Sequence, residues 1–146
     1  MIKILTIPAL MFLGQASYGS DCTKEQAQAS VQKACDLISS KGKGALDEIR
    51  KYRYCGSNYV WIQDKDVKMV MHPIKPRLNG KPLGAHKDEK GKQLFVEFDK
   101  TAKANPDGGW VDYLWAKPGA EKATAKTSFV KMCGSVQWIA GSGIWK

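Results

Sequence analysis

An aromatic stretch in the second half of the chain contains some of the residues most capable of specific chemistry. Residues 108–119 read GGWVDYLWAKPG, and alternation along an extended strand places Val111, Tyr113 and Trp115 on one face. Tyrosine and tryptophan each carry a polar group that needs a hydrogen-bond partner when the ring is buried. Lys117 adds a cationic donor two residues further on. Such a face is either part of the core or the wall of a pocket.

Motifs for covalent or metal-assisted catalysis are missing from the sequence. There is no G-x-S-x-G nucleophile elbow and no H-E-x-x-H zinc motif. The cysteines and histidines do not fall at zinc-ligand spacing, and no C-x-x-C pair occurs. We therefore predict a protein without enzymatic activity, bound metal or cofactor.

The first 20 residues have the order of a secretory signal peptide. Lys3 precedes an apolar run over residues 4–13, and small residues follow around residues 16–20, where we predict cleavage. The run is too short for a convincing transmembrane span. We expect a free periplasmic or secreted protein, not membrane-spanning after cleavage, whose residues 21–146 form one domain.

Four cysteines in an exported protein indicate two disulfides. They are Cys22, Cys35, Cys55 and Cys133. The first two lie in a segment predicted as one helix, which separates them by roughly 20 Å at 1.5 Å per residue. Because bonded cysteines need Cα atoms within about 7 Å, this pair is disfavoured. The remaining pairings stay open.

The chain is basic, with 23 Lys and Arg against 14 Asp and Glu and a formal net charge of +9. This excess suits either an anionic partner or a solvated surface that maintains solubility. Basic residues alternate with aromatics in KYRY, residues 51–54, as in proteins that bind single-stranded nucleic acid. Predicted export argues against that function, so we expect no nucleic-acid partner.

The periodicity predicts an α+β domain. Thr23 and Gln26 form a weak capping box for a helix that runs to the glycines at 42 and 44, and a short helix follows over residues 45–52. The pattern then changes to period two. The remaining predicted elements are strands at 58–64 and 68–73, a long loop, a helix over 92–105, and strands at 110–118, 127–133 and 138–146.

Several ordered motifs resemble the single Cache domain, the PAS-like extracellular sensor of bacterial chemoreceptors and histidine kinases. They are YVWIQDKDVKMVMHPIKPRLNGKPL, GKQLFVEF, GGWVDYLWAKPG and SFVKMCGSVQWIAGSGIW, and the resemblance covers roughly residues 23–145. It implies a long N-terminal helix packed on a central antiparallel sheet of about five or six strands. Receptors of this family place the domain between transmembrane helices, so we expect this chain to lack a signalling output of its own.

The resemblance also implies a pocket between the sheet and the long loop for a short organic carboxylate, of the acetate, propionate, lactate or pyruvate type. Such a ligand needs one or two charge-assisted donors in an otherwise apolar cavity. The candidate ligand-binding residues are Trp61, His72, Tyr113, Trp115, Lys117 and Lys131. Each also has a purely structural interpretation, such as core packing for the aromatics and solvation for the lysines.

Two functions are therefore retained. The first is a periplasmic binding module that presents a small organic acid to a membrane chemoreceptor or histidine kinase. The second is an interaction protein whose degenerate pocket is filled by its own aromatics, and which acts on a membrane receptor or another acidic partner. In either case we expect a monomer or weak dimer.

Overall fold

The apolar pattern at the N-terminal end forms a capped helix. The computed structural model describes residues 22–146, so the predicted signal peptide lies outside the described residues. Helix α1 spans Lys24–Lys41, and the predicted capping box between Thr23 and Gln26 is present. The helix ends at Gly42, where φ is 54°. A 3₁₀ turn, Gly42–Ala45, then leads into α2, Leu46–Lys51.

Five antiparallel strands form one sheet, which agrees with the predicted α+β class. The strands are β1 Trp61–Asp64, β2 Met69–Met71, β3 Gly109–Ala116, β4 Ala123–Cys133 and β5 Trp138–Trp145. Their order across the sheet is β2-β1-β5-β4-β3. The last three strands form a meander, while β1 pairs with β5 and so places the β1–β2 hairpin at the opposite edge from β3.

The sheet separates two apolar cores. Alternation along β4 directs Phe129 and Cys133 towards α1, whereas Val130 packs with α3, Leu94–Ala104, on the other face. We call this second side the aromatic face. Its core contains Tyr59, Trp61, Phe95, Phe98, Tyr113 and Trp115.

A long loop between β2 and α3 is fixed to the edge of the hairpin by backbone hydrogen bonds. The N–H of Gly80 donates to the carbonyl of Met69 at 2.7 Å, and the N–H of Leu83 donates to that of Val67 at 2.9 Å. Leu78 and Leu83 are buried in the core of the aromatic face. The loop therefore forms part of this core and lies beside α3.

Two disulfides connect the N-terminal helix region to the rest of the fold. Cys22 pairs with Cys55, and Cys35 pairs with Cys133, which confirms two disulfides and excludes the disfavoured Cys22–Cys35 pair. The first disulfide anchors the residues before α1 to the segment that precedes β1. The second joins the middle of α1 to the end of β4, and both of its cysteines are buried.

We expect the Cys35–Cys133 disulfide to stabilise the fold more than Cys22–Cys55. It closes a loop of 98 residues, against 33 for the other pair. Loop-closure entropy gives about 4.7 and about 3.7 kcal/mol respectively. In urea denaturation, the C35A/C133A protein should therefore lose more unfolding free energy than the C22A/C55A protein. A larger loss in C22A/C55A would contradict this ranking.

Candidate ligand-binding site

Four of the six candidate residues meet around one small cavity on the aromatic face. Trp61, His72, Tyr113 and Trp115 line it, and three side chains of α3 complete the wall. The cavity has a volume of about 10 Å³. A space of this size accommodates about one water molecule. The contributing side chains of α3 are Leu94, Phe95 and Phe98.

The width of the cavity depends on a glycine in the central strand β5. Trp61 stands on β1, and its indole lies over Gly141, so a Cβ added at Gly141 would overlap that ring. The indole packs against Phe98, with ring centroids 4.7 Å apart, and Phe98 in turn contacts Tyr113 at 4.9 Å. The glycine thus lets Trp61 pack close to the sheet beneath α3.

The polar groups of the wall are bonded to one another. The indole N–H of Trp115 donates to the hydroxyl of Tyr59 at 3.1 Å. The hydroxyl of Tyr113 shares a hydrogen bond of 2.9 Å with that of Ser128. Burial raises the pKa of both tyrosines, so both phenols remain protonated and neutral. Tyr59 and Tyr113 therefore contribute no charge to the site.

His72 is a neutral hydrogen-bond donor in this environment. It is only 2% exposed, and its Nδ1 accepts hydrogen bonds from the backbone N–H groups of Ile74 and Lys75 at 3.2 and 3.0 Å. Burial, with the charges of Lys126 and Lys75, lowers its pKa to about 3. The ring is then neutral near pH 7, and its proton resides on Nε2.

Lys126, which was not among the candidate ligand-binding residues predicted from the sequence, is buried beside Tyr59 and Tyr113. The residue is 1% exposed, and its Nζ lies 4.7 Å from the ring centroid of Tyr59, 6.0 Å from that of Tyr113 and 4.1 Å from that of Trp145. Within residues 22–146 its ammonium has no hydrogen-bond or salt-bridge partner. Burial, followed by the charge of Lys75, lowers the pKa of Lys126 to about 7.

The structure brings neither Lys131 nor Lys117 to the cavity. Lys131 lies on the α1 side of the sheet, where its Nζ donates to Oε1 of Gln32 at 2.9 Å. Lys117 is exposed, just beyond the end of β3. Alternation along β4 places Lys126 on the same face as Ser128 and Val130, whereas Lys131 has the opposite parity and could have been excluded by period-two counting.

Lys75, from the long loop, approaches the same region from outside. Its Nζ lies 4.3 Å from the ring centroid of Trp115, and the side chain is half-buried. Burial and the charge of Arg77 lower its pKa. Arg77 itself is exposed on the 3₁₀ turn Pro76–Leu78. Lys126 and Lys75 therefore place two basic side chains near the cavity, although neither contributes to its lining.

Helices on both sides of an antiparallel sheet, with a small cavity under one of them, are the architecture of a PAS-like sensor domain. The sequence profile of the Cache domain matches residues 15–146, and the chain belongs to this family. This confirms the resemblance found in the sequence. The methyl-accepting chemotaxis protein McpP of Pseudomonas putida is 41% identical over 101 residues, which are 69% of this chain and 18% of that protein.

Solved structures agree with this assignment. A periplasmic sensor domain of a chemotaxis protein is 38% identical, with a TM-score of 0.71 over 83% of this chain and 88% of the other. A Cache chemosensory domain, solved as the structural basis for carboxylic acid recognition, is 33% identical, with a TM-score of 0.76 over 83% and 91%. A methyl-accepting chemotaxis protein from Vibrio parahaemolyticus shares the fold at 22% identity, with a TM-score of 0.74 over 84% and 87%.

Two further properties concern residues 22–146. In this part of the chain, no cluster of His, Cys, Asp and Glu side chains has the composition to hold a metal ion. The same residues include no helix with the length and apolarity needed to cross a membrane.

We expect Gly141→Ala to destabilise the protein by displacing Trp61. The added methyl group overlaps the indole, and overpacking of this kind costs about 1–3 kcal/mol. The unfolding midpoint in urea should fall accordingly. Gly84→Ala is the matched control, because a Cβ at Gly84 meets no atom within 4 Å. Equal midpoints for the two variants would show that the indole does not depend on Gly141.

Proposed function

We propose that this chain is a periplasmic binding module for a short organic carboxylate of the acetate, propionate, lactate or pyruvate type. The observation that carries the proposal is Lys126, a buried lysine that forms no salt bridge within residues 22–146. Taking an ammonium group out of water costs on the order of several kcal/mol unless an anion compensates it. The neighbouring phenols of Tyr59 and Tyr113 stay neutral, so a ligand is the natural source of the negative charge.

The other groups of the site suit the rest of such a ligand. The Nε2–H of His72 supplies a neutral donor for a carboxylate oxygen, while the ammonium of Lys126 supplies the charge. Tyr113 connects the two regions, since it lines the cavity and also faces Lys126. The remaining walls are aromatic and aliphatic, which favours a ligand with a short apolar tail.

The size of the cavity favours small acids. At about 10 Å³ it is smaller than any organic carboxylate, so binding requires the loop or the ring side chains to move. Each additional methylene group requires further displacement of Phe95, Phe98 or Trp61. We therefore expect acids of two or three carbons to bind better than longer ones.

Relatives of the same family support this proposal. A Cache domain that is 33% identical to this chain was solved as a structural basis for carboxylic acid recognition. Two disulfides are typical of an oxidising compartment such as the periplasm. Because its relatives include chemotaxis proteins, we propose that the bound chain acts on a chemoreceptor or histidine kinase.

The second candidate is an interaction protein whose pocket is closed by its own side chains. The small cavity favours it, because aromatic rings occupy most of the space beneath α3. A basic surface, with a net charge of +9, would then meet an acidic partner or a membrane receptor. The buried lysine argues against it, since a pocket without a ligand gains nothing from an uncompensated ammonium.

Differential scanning fluorimetry of the oxidised protein tests the proposal. We expect acetate, propionate, lactate or pyruvate to raise the melting temperature, while amines and purines do not. The stabilisation is about 2.7 kcal/mol at a hundredfold excess over Kd. Lys126→Met should abolish the shift. Lys131→Met is the matched control, because it removes a lysine from the opposite face of the same strand.

The outcomes separate the two candidates. A shift that Lys126→Met removes and Lys131→Met retains would establish a carboxylate site at Lys126. If no acid shifts the melting temperature of the wild-type protein, the binding-module proposal is wrong and the interaction protein becomes the better description. A shift that survives in a folded Lys126→Met protein would place the ligand elsewhere.

A further inference from the structure

We propose that carboxylate binding is coupled to uptake of one proton by the amine of Lys126, so that ligand and proton enter the site together as a neutral pair. This inference rests on the proposed function and adds a property that determines how the site responds to pH. It predicts strong binding between about pH 5 and about pH 7 and weak binding at alkaline pH.

Burial and a second nearby cation make the ammonium of Lys126 easier to deprotonate in the empty site than a lysine in water. Three aromatic rings surround its Nζ, contributed by Tyr59, by Tyr113 on β3 and by Trp145 on β5. Cation–π attraction compensates part of the cost of burying the ammonium. The long loop contributes a second cation, Lys75, and repulsion between the two opposes protonation.

Carboxylates exist near this region, but they are engaged elsewhere. The groove outside β3 is lined by Asp88, Glu97 and Asp112 as well as by Lys126. Asp112 pairs with Lys146 at 2.8 Å, and Glu97 pairs with Lys100 at 3.2 Å. Asp88 accepts hydrogen bonds from backbone N–H groups, including that of Leu114 at 3.1 Å. Among the described residues, the charged side chain that shifts the pKa of Lys126 is Lys75.

The sign of the pH dependence follows from linkage. In the empty site the pKa of Lys126 is about 7, lowered from 10.5 by burial and by Lys75. A carboxylate against the ammonium favours the charged form and raises this pKa. Between about pH 5 and about pH 7 the amine carries its proton and the ligand is still a carboxylate, so affinity is constant. Above that pH a solvent proton must be added to the Nζ lone pair on binding, so affinity falls by about tenfold per pH unit.

The two histidines near the site have lower pKa values than Lys126. The pKa of His72 is about 3, and burial together with Lys75 lowers the pKa of His86 below its ordinary value of 6.5. The ring of His72 is therefore neutral where Lys126 changes its charge. The phenols of Tyr59 and Tyr113 stay protonated throughout the same range, because burial raises their pKa.

Isothermal titration calorimetry with propionate tests the coupling. Binding is measured in two buffers of different ionisation enthalpy, and the difference in apparent enthalpy gives the number of protons taken up. We expect about one proton at about pH 8.5 and almost none at about pH 6. Kd should rise by about thirtyfold over the same interval.

Three variants assign the proton to Lys126. Lys75→Gln removes the neighbouring charge, so proton uptake should persist but begin at a higher pH. Lys126→Arg keeps a permanent charge and, where it binds propionate, should do so without proton uptake. Lys131→Gln is the matched control and should leave the pH profile unchanged.

Each failure has its own signature. Propionate binding with a constant Kd and no proton uptake would overturn the coupling but leave the proposed function intact. Loss of proton uptake in Lys75→Gln would assign the proton to Lys75 and contradict the inference. If neither propionate nor the other short carboxylates bind at any pH, the proposed function itself fails.

Discussion

The amine of Lys126, which is enclosed by two tyrosines and a tryptophan and forms no salt bridge within residues 22–146, is the constraint on which the aromatic face depends. Lys126 is tolerated there because the rings offer their negative π faces and because the amine can lose its proton. The same positive charge helps to keep His72 neutral, so the imidazole serves as a donor. One buried residue thus helps to determine the protonation state of its neighbour and the kind of ligand that would complete the site.

The central strands make room for these bulky groups through small residues. Gly141 lets the indole of Trp61 pack close to the sheet, and Ser128 accommodates and hydrogen-bonds the Tyr113 hydroxyl. A larger residue at either position would push the aromatic side chains towards α3. Gly141, in the segment WIAGSGIW, therefore has a packing role at the site, in addition to its effect on the backbone.

Most of the fold could be predicted from the sequence, because its period-two and helical patterns agree with the observed strands and helices. The prediction at β4 was less complete. The predicted strand began at Thr127, whereas β4 begins at Ala123, because residues 123–126 pair with the end of β3. This pairing depends on a distant segment and leaves little local signal, and it is what buries Lys126. Trp61, His72, Tyr113 and Trp115 were predicted from local motifs and lie around one cavity, while Lys131 was selected by type without regard to its parity.

The two sides of the sheet differ in how firmly they are held. Cys35–Cys133 bonds α1 covalently to β4, and Cys22–Cys55 anchors its beginning. Among the described residues, the other side has no disulfide, and α3 and the loop are held by packing and hydrogen bonds such as that from Gln63 to the carbonyl of Phe95. Under the proposed function the cavity must enlarge to admit an organic acid, and movement of α3 and the loop should cost less than movement of α1, which is held by the disulfides. The ligand would then be sensed as a displacement of one side of the sheet against a fixed opposite side.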